Sequence, residues 1–215
     1  MTDNLWEKIL DSQQHKAPKS LNRRKILTGA VSSAGIVLTD LAPVPALAKT
    51  DPVVQFMKRS AKKLLNAAQH GSPKRFLSFI SRYTDLSGIA LYCLGNYKAS
   101  LQKKHQRIYF QGTARHITRY FTYQSRKYQI AKADVGESSW EENGAHYVDT
   151  KVTLLTGSTY NVRWQIVRRN GRFKIANVRV LGFWLLGFQR KQFVNYIVKK
   201  GGKVTALVAV LHARK

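Results

Sequence analysis

The feature that most restricts the fold of this chain is the pair Asn170-Gly171, which is flanked on both sides by alternating runs. Before the pair, Tyr160, Val162, Trp164 and Ile166 share one parity, and Arg163, Gln165 and Arg169 take the other. A period of two sends the first set to one face of a strand and the second to the opposite face. Asn-Gly suits a two-residue turn with φ > 0 at both positions, so the two runs form an antiparallel hairpin. The returning run starts with Phe173 and Ile175 but continues with Val178 and Val180. That parity switch at Ala176-Asn177 predicts a β-bulge. Upstream, Val148, Val152 and Leu154 alternate within 146–156, and a strand over about 128–139 starts the sheet.

The period changes outside this region. Asp51-Pro52 is a helix start, because Asp caps free N–H groups and Pro fits the first helical position. Val53, Phe56, Met57, Ala61, Leu64, Leu65 and Ala68 then recur at helical spacing, opposite Lys58, Arg59, Lys62 and Lys63. Ser72-Pro73 repeats the signal ahead of Phe76, Phe79, Ile80 and Tyr83, and Asp85 opens a third, short helix ending near Gly95. A longer helix over 101–124 carries Phe110, Ala114, Ile117 and Phe121 as its inner stripe. Two more helices, 188–199 and 203–212, follow the sheet on either side of Gly201-Gly202. The expected fold is α+β, with helices packed on a four-stranded antiparallel sheet.

Residues 1–48 read as an address. A polar stretch leads to Arg23-Arg24-Lys25, a short apolar run from Ile26 to Leu38, and Ala46-Leu47-Ala48. That order is the n-region, h-region and small-x-small site of an export signal. The apolar run, about 13 residues, is shorter than the ~20 a membrane span takes. Ser20-Leu21-Asn22-Arg23-Arg24-Lys25-Ile26-Leu27 resembles the twin-arginine signal, with Ile26 where Phe is usual. General secretion stays open. Cleavage is expected after Ala48, in the periplasm, leaving 49–215 as the mature domain.

Charge is lopsided: 37 Lys and Arg stand against 11 Asp and Glu, a formal net charge of +26. Six of the basic and four of the acidic residues precede Lys49, so residues 49–215 keep 31 against 7. The excess belongs to the domain and predicts salt-dependent attraction to anionic membranes or acidic faces. Nucleic acid is the competing polyanion. However, the basic residues form no dense cluster, and Tyr160 and Trp164 lie on the inner face, where they cannot stack on bases. No specific nucleic-acid partner follows.

An enzyme has little to stand on. The mature acids are Asp51, Asp85, Asp134, Glu137, Glu141, Glu142 and Asp149, and the histidines are scattered. There is no H-E-x-x-H pair, G-x-S-x-G elbow or phosphate-cradling glycine loop. The single cysteine, Cys93, excludes an intramolecular disulfide framework and reads as a buried inert thiol. No cofactor and no metal are expected. One run does ask for a role: Val178-Arg-Val-Leu-Gly-Phe-Trp-Leu-Leu-Gly-Phe188 is too apolar for an ordinary connection. It is either core or the lining of something greasy.

Several motifs fall in a specific order: Asp51-Pro52-Val53-Val54, Asp85-Leu86-Ser87-Gly88-Ile89-Ala90 and Leu94-Gly95-Asn96-Tyr97. They are followed by the hairpin with Phe173-Lys174-Ile175, Arg190-Lys191-Gln192-Phe193 and Gly201-Gly202. In this order and spacing the mature chain resembles the MlaC, or toluene-tolerance, family of periplasmic lipid shuttles. The resemblance implies a soluble carrier that binds a phospholipid with its acyl chains between sheet and helices. It implies partners too: an outer-membrane lipoprotein complex and an inner-membrane ABC lipid transporter, to which such carriers are auxiliary. Some relatives sit with hopanoid-biosynthesis genes, so a polycyclic lipid competes with phospholipid. Phe188-Gln189 replaces the usual Asn-Tyr before Arg190, and Leu181 replaces an acidic residue before the strand-end glycine. Both changes make the region more apolar.

The expected lipid wall is Val148, Val152, Leu154, Val162, Trp164, Ile166, Val178 and Val180 on the sheet. Phe79, Ile80, Phe110, Ile117 and Phe121 face it from the helices. Arg190 is the expected partner of a headgroup phosphate.

Overall fold

Three helices begin where side-chain caps were expected. In the computed structural model, which describes residues 51–213, Asp51 Oδ1 accepts from the Val53 amide at 2.8 Å. Helix α1 (Pro52–Gln69) follows, burying Val53, Val54, Phe56, Met57 and Ala61 while its lysines stay exposed. Ser72 caps α2 (Pro73–Tyr83), and Asp85 caps α3 (Leu86–Cys93). A 3₁₀ segment (Gly95–Ser100) leads into α4 (Lys103–Lys127). The signal segment expected over 1–48 and the expected cleavage after Ala48 lie outside the described residues.

The second half is the sheet: β1 (Ile130–Val135), β2 (Trp140–Glu142), β3 (Ala145–Leu154), β4 (Thr159–Arg169), β5 (Arg172–Val180) and β6 (Phe183–Trp184). The order is β1-β3-β4-β5-β6, with β2 paired to β3, and every strand pairing is antiparallel. Four long strands make the body, and β2 and β6 are short additions at its margins. Asn170 and Gly171 have φ of 49° and 73°, the left-handed pair that the hairpin needs. Gln165 pairs with Asn177 and Ile166 with Ile175, so Ala176 is the extra residue of the expected bulge. The strand expected over 128–139 is shorter, β1 alone, and β2 begins just past its expected end. Between them the Gly136 amide donates to Asp149 O, and the chain turns at 136–139. Helices α5 (Leu185–Lys199) and α6 (Val204–Ala213) close the chain.

Burial falls into separate clusters. The main core joins α1, α2 and the middle of α4 to the inner face of β3, β4 and β5. A helical lobe packs α3, the start of α4, α5 and α6 around Tyr109, Phe193 and Ile197. A small third cluster gathers Ala67, Ala68 and Phe76 with Phe121 against it. At 25 residues, α4 is about 37 Å long at 1.5 Å per residue, too long for one core. The expected inner stripe is therefore shared out. Ala114 and Ile117 serve the main core, Phe110 the lobe and Phe121 the third cluster.

Asp51 also ties the β1–β2 turn to α1, because Ser139 Oγ donates to its second oxygen. Burial pushes its carboxyl up, but the Ser139 hydroxyl and the Val53 and Val54 amides outweigh it, and the net direction is down. A carboxyl lowered in the folded state adds stability above the unfolded aspartate range, near pH ~4, and loses it as pH falls through the folded value. Asp51→Ala should cost about 1 kcal/mol at neutral pH. Urea titrations of wild type and variant should converge in acid, and a difference that persisted unchanged there would refute the assignment.

Candidate functional site

The strand register sorts the inner face of the sheet into rows. Nearest the Asn170-Gly171 turn, Arg168 pairs with half-buried Phe173; one row further in, Ile166 pairs with Ile175, and both are buried. The next row is Val148, Trp164 and Val178, followed by Thr150, Val162 and Val180, then Val152 with Tyr160. Burial is uneven across these rows: Thr150, Val162 and, past Val152, Leu154 are buried. Ile166 and Val148 are 0% exposed, whereas Val178, Val180, Val152 and Tyr160 are only half-buried. Trp164 Nε1 donates to Thr150 Oγ1 at 3.0 Å, so its one polar atom is satisfied within the sheet. The indole then presents apolar surface without a desolvation cost.

The half-buried end of the sheet continues into the apolar run singled out in the sequence. Leu181 and Gly182 turn the chain with φ of 51° and 87°, and none of residues 181–188 is fully buried. Phe183, 44% exposed, meets Phe188 at 5.9 Å between ring centroids, and Trp184 meets Tyr147 at 6.2 Å. Val178, Val180 and Leu186 pack against the buried clusters, and the rest of the run is a half-exposed apolar margin. Asn177, beside the bulge, holds it in place. Its Oδ1 accepts from the Val178 amide at 2.9 Å and from the Leu186 amide at 3.2 Å, substituting for the side-chain cap α5 lacks. Across the margin, His116 on α4 and Gln189 on α5 lie 3.2 Å apart.

Arg190 sits on the helical lobe. Its guanidinium lies 5.2 Å from the Tyr92 ring centroid, and its Nε is 2.9 Å from where a Cβ on Gly95 would stand. Gly95, at φ 56°, leaves the space that the arginine occupies. Burial pushes the neighbouring Cys93 thiol up to about 12, against the downward pull of Arg190. The thiol stays protonated and is no nucleophile. Among the described residues, no three His, Cys, Asp or Glu side chains come together as metal ligands do.

Residues 48–213 match the profile of the family described as MlaC protein. The chain belongs to the MlaC family. No curated protein sequence matches. Among solved structures, the chain is similar to the phospholipid-binding protein from Ralstonia solanacearum, determined in complex with a phospholipid. The two share 15% identity over 74% of this chain and 94% of that one, with a TM-score of 0.60. At that identity the likeness concerns the fold, and the MlaC-type α+β architecture is common to both.

Within this MlaC-family domain, ten of the expected wall residues converge on one cluster. Phe79, Ile80, Val148, Val162, Trp164 and Ile166 are buried there, and Ile117, Val152, Val178 and Val180 are half-buried against it. Leu154 is buried at the far end of β3. Phe110 and Phe121 pack in the other two clusters. Sequence reasoning missed Thr150 and Asn177, the polar residues that set Trp164 and the apolar margin. Thr150 shares the parity of Val148 and Val152 and was legible as an inner-face hydroxyl. The reach of Asn177 to Leu186 had no sequence signal.

Proposed function

We propose that residues 49–215 act as a periplasmic carrier that binds a phospholipid in the space bordered by the half-buried end of the sheet. The carrying observation is the half-buried apolar stretch of the inner face at Val152, Val178 and Val180, set beside the sealed Ile166 and Val148 and continued by the 181–188 margin. A carrier needs both parts. Each acyl CH₂ taken out of water contributes roughly 0.8 kcal/mol, so one long chain gains on the order of 10 kcal/mol. The sealed rows hold the sheet together while the open rows part side chains, without breaking the backbone ladder, to admit the chains. The headgroup stays in water at the margin. Arg190 stands in this reading as the phosphate partner, because a guanidinium over the Tyr92 ring can still turn N–H donors to a phosphate.

Export by the paired-arginine signal would deliver the folded domain to the periplasm, between two membranes. There it would serve as the auxiliary component of an ABC lipid transport system, exchanging lipid with an outer-membrane lipoprotein complex and an inner-membrane transporter complex. Family membership and the phospholipid-bound structural neighbour support this reading. Native mass spectrometry of protein from its own periplasm tests it. Phospholipid is the expected ligand, and a hopanoid would keep the carrier but change its cargo. Protein that holds no lipid and accepts none from vesicles would end the proposal.

A further inference from the structure

The acids of residues 49–215 stand only at 51, 85 and between 134 and 149. None occurs between residues 86 and 133, and none between 150 and 215. The helical lobe, built from α3, α5, α6 and the start of α4, is drawn wholly from those acid-free stretches. At one end of the lobe two turns lie side by side: the Tyr97 ring is 3.7 Å from where a Cβ on Gly202 would stand. Lys98, Lys103 and Lys104 flank the first turn, and Lys199, Lys200 and Lys203 flank the second; all six are exposed. Among the described residues, no ion pair involves any of them.

Folding explains only Lys199 and Lys200, at the C-terminal end of α5, where the helix dipole favours cations. Lys103 and Lys104 occupy the first turn of α4, and Lys203 directly precedes α6. Both are helix N-termini, where the macrodipole favours carboxylates and opposes cations. Neither first turn contains an acid. Six cations are thus gathered against their own repulsion and, in three cases, against the helix dipole.

We propose that this lysine-rich end of the lobe docks on the surface of an anionic bilayer. The inference extends the carrier reading by naming the surface that meets a lipid source. All six of these cations are lysines, each a flexible, strongly hydrated point charge suited to a diffuse field of phosphates. Arginine would suit the fixed bidentate carboxylates of an acidic protein face better. Val198 stands 57% exposed next to Lys199, and Lys200 lies 5.9 Å from the Tyr196 ring. Apolar and aromatic groups ringed by lysines are the composition of a bilayer-interface contact.

The test is flotation of the mature protein with phosphatidylcholine vesicles, with and without phosphatidylglycerol. Wild type should bind only the anionic vesicles, and less as salt rises. Lys199→Gln/Lys200→Gln/Lys203→Gln should weaken binding by about a hundredfold, since each lysine near the surface contributes about fivefold. An equal charge loss elsewhere, Lys62→Gln/Lys63→Gln/Lys74→Gln, should weaken it by no more than about threefold. All six positions are exposed, and thermal melts confirm folding of both variants. Equal losses in the two variants would mean that net charge, not this patch, drives binding, and would overturn the proposal. So would a wild type that ignores anionic vesicles but is retained by immobilised polyglutamate, which would move the surface to an acidic protein. Docking is read independently of lipid content. A protein that docks as described yet carries no lipid would support this surface while removing the carrier reading.

Discussion

Mature protein carrying Val152→Trp should fold and lose most of its bound lipid. Val152 lies two rows beyond Trp164 on the inner face, half-buried, between Ala133 on β1 and Tyr160 on β4. An indole there projects into the space assigned to acyl chains and occupies volume that lipid would fill. The neighbours are themselves half-open, so overpacking should cost no more than about 1–3 kcal/mol. The control is the same change at a sealed row. Val148 is 0% exposed, and Val148→Trp has no free volume to enter. It should lower the melting temperature sharply, because a close-packed interior absorbs an added ring only by distortion. Co-purified lipid and melting temperature, measured on both variants, decide the matter. A folded Val152→Trp protein with a full complement of lipid would show that the acyl chains lie elsewhere.

What could be read in the sequence follows from how far each interaction reaches. Asp51-Pro52, Ser72-Pro73 and Asp85 announce helix starts because an N-cap bonds an amide two or three residues on. Asn170-Gly171 fixes a turn within itself, and the bulge at Ala176 appears as a broken parity. The inner face of the hairpin was readable for the same reason, which is why Val162, Trp164, Ile166, Val178 and Val180 meet in one cluster. Features requiring knowledge of neighbours were not readable. The stripe on α4 looks continuous in sequence, but the helix outruns the core and divides Phe110, Ile117 and Phe121 among three environments. The seat of Arg190 depends on Gly95, far away in the chain, leaving room for a guanidinium. The apolar run 178–188 posed a choice between core and lining that periodicity cannot make; exposure makes it.

Asp85 is where the two large clusters are joined, and Asp85→Ala should be among the most damaging single changes at a polar position. Its amide donates to Ile175 O at 2.8 Å, holding the start of α3 against β5. Its Oδ1 accepts from the Gly88 amide at 3.2 Å, and its Oδ2 accepts from Arg169 Nε at 2.7 Å, at the hairpin end of β4. Gly88 permits this approach, since a Cβ there would lie 2.2 Å from Oδ2. The carboxylate is 6% exposed and Arg169 58%. Removing the aspartate loses a cap, worth about 1 kcal/mol, and a charge-assisted hydrogen bond, together about 3 kcal/mol. For a domain of this size that is a fall in melting temperature of about 6–12 °C. The partner change tests the asymmetry of the pair. Arg169→Ala leaves the buried carboxylate without its cation and should cost about 2 kcal/mol although an exposed residue is removed. Asp85→Asn added to Arg169→Ala should recover part of that loss, because Asn still caps α3 but carries no charge needing a partner. Denaturant titrations of wild type, Asp85→Asn, Arg169→Ala and the double variant complete the cycle, with Asp85→Ala measured beside them. An Asp85→Ala variant within about 0.5 kcal/mol of wild type would put Asp85 among ordinary surface positions and dissolve its role as the joint between the sheet and the lobe.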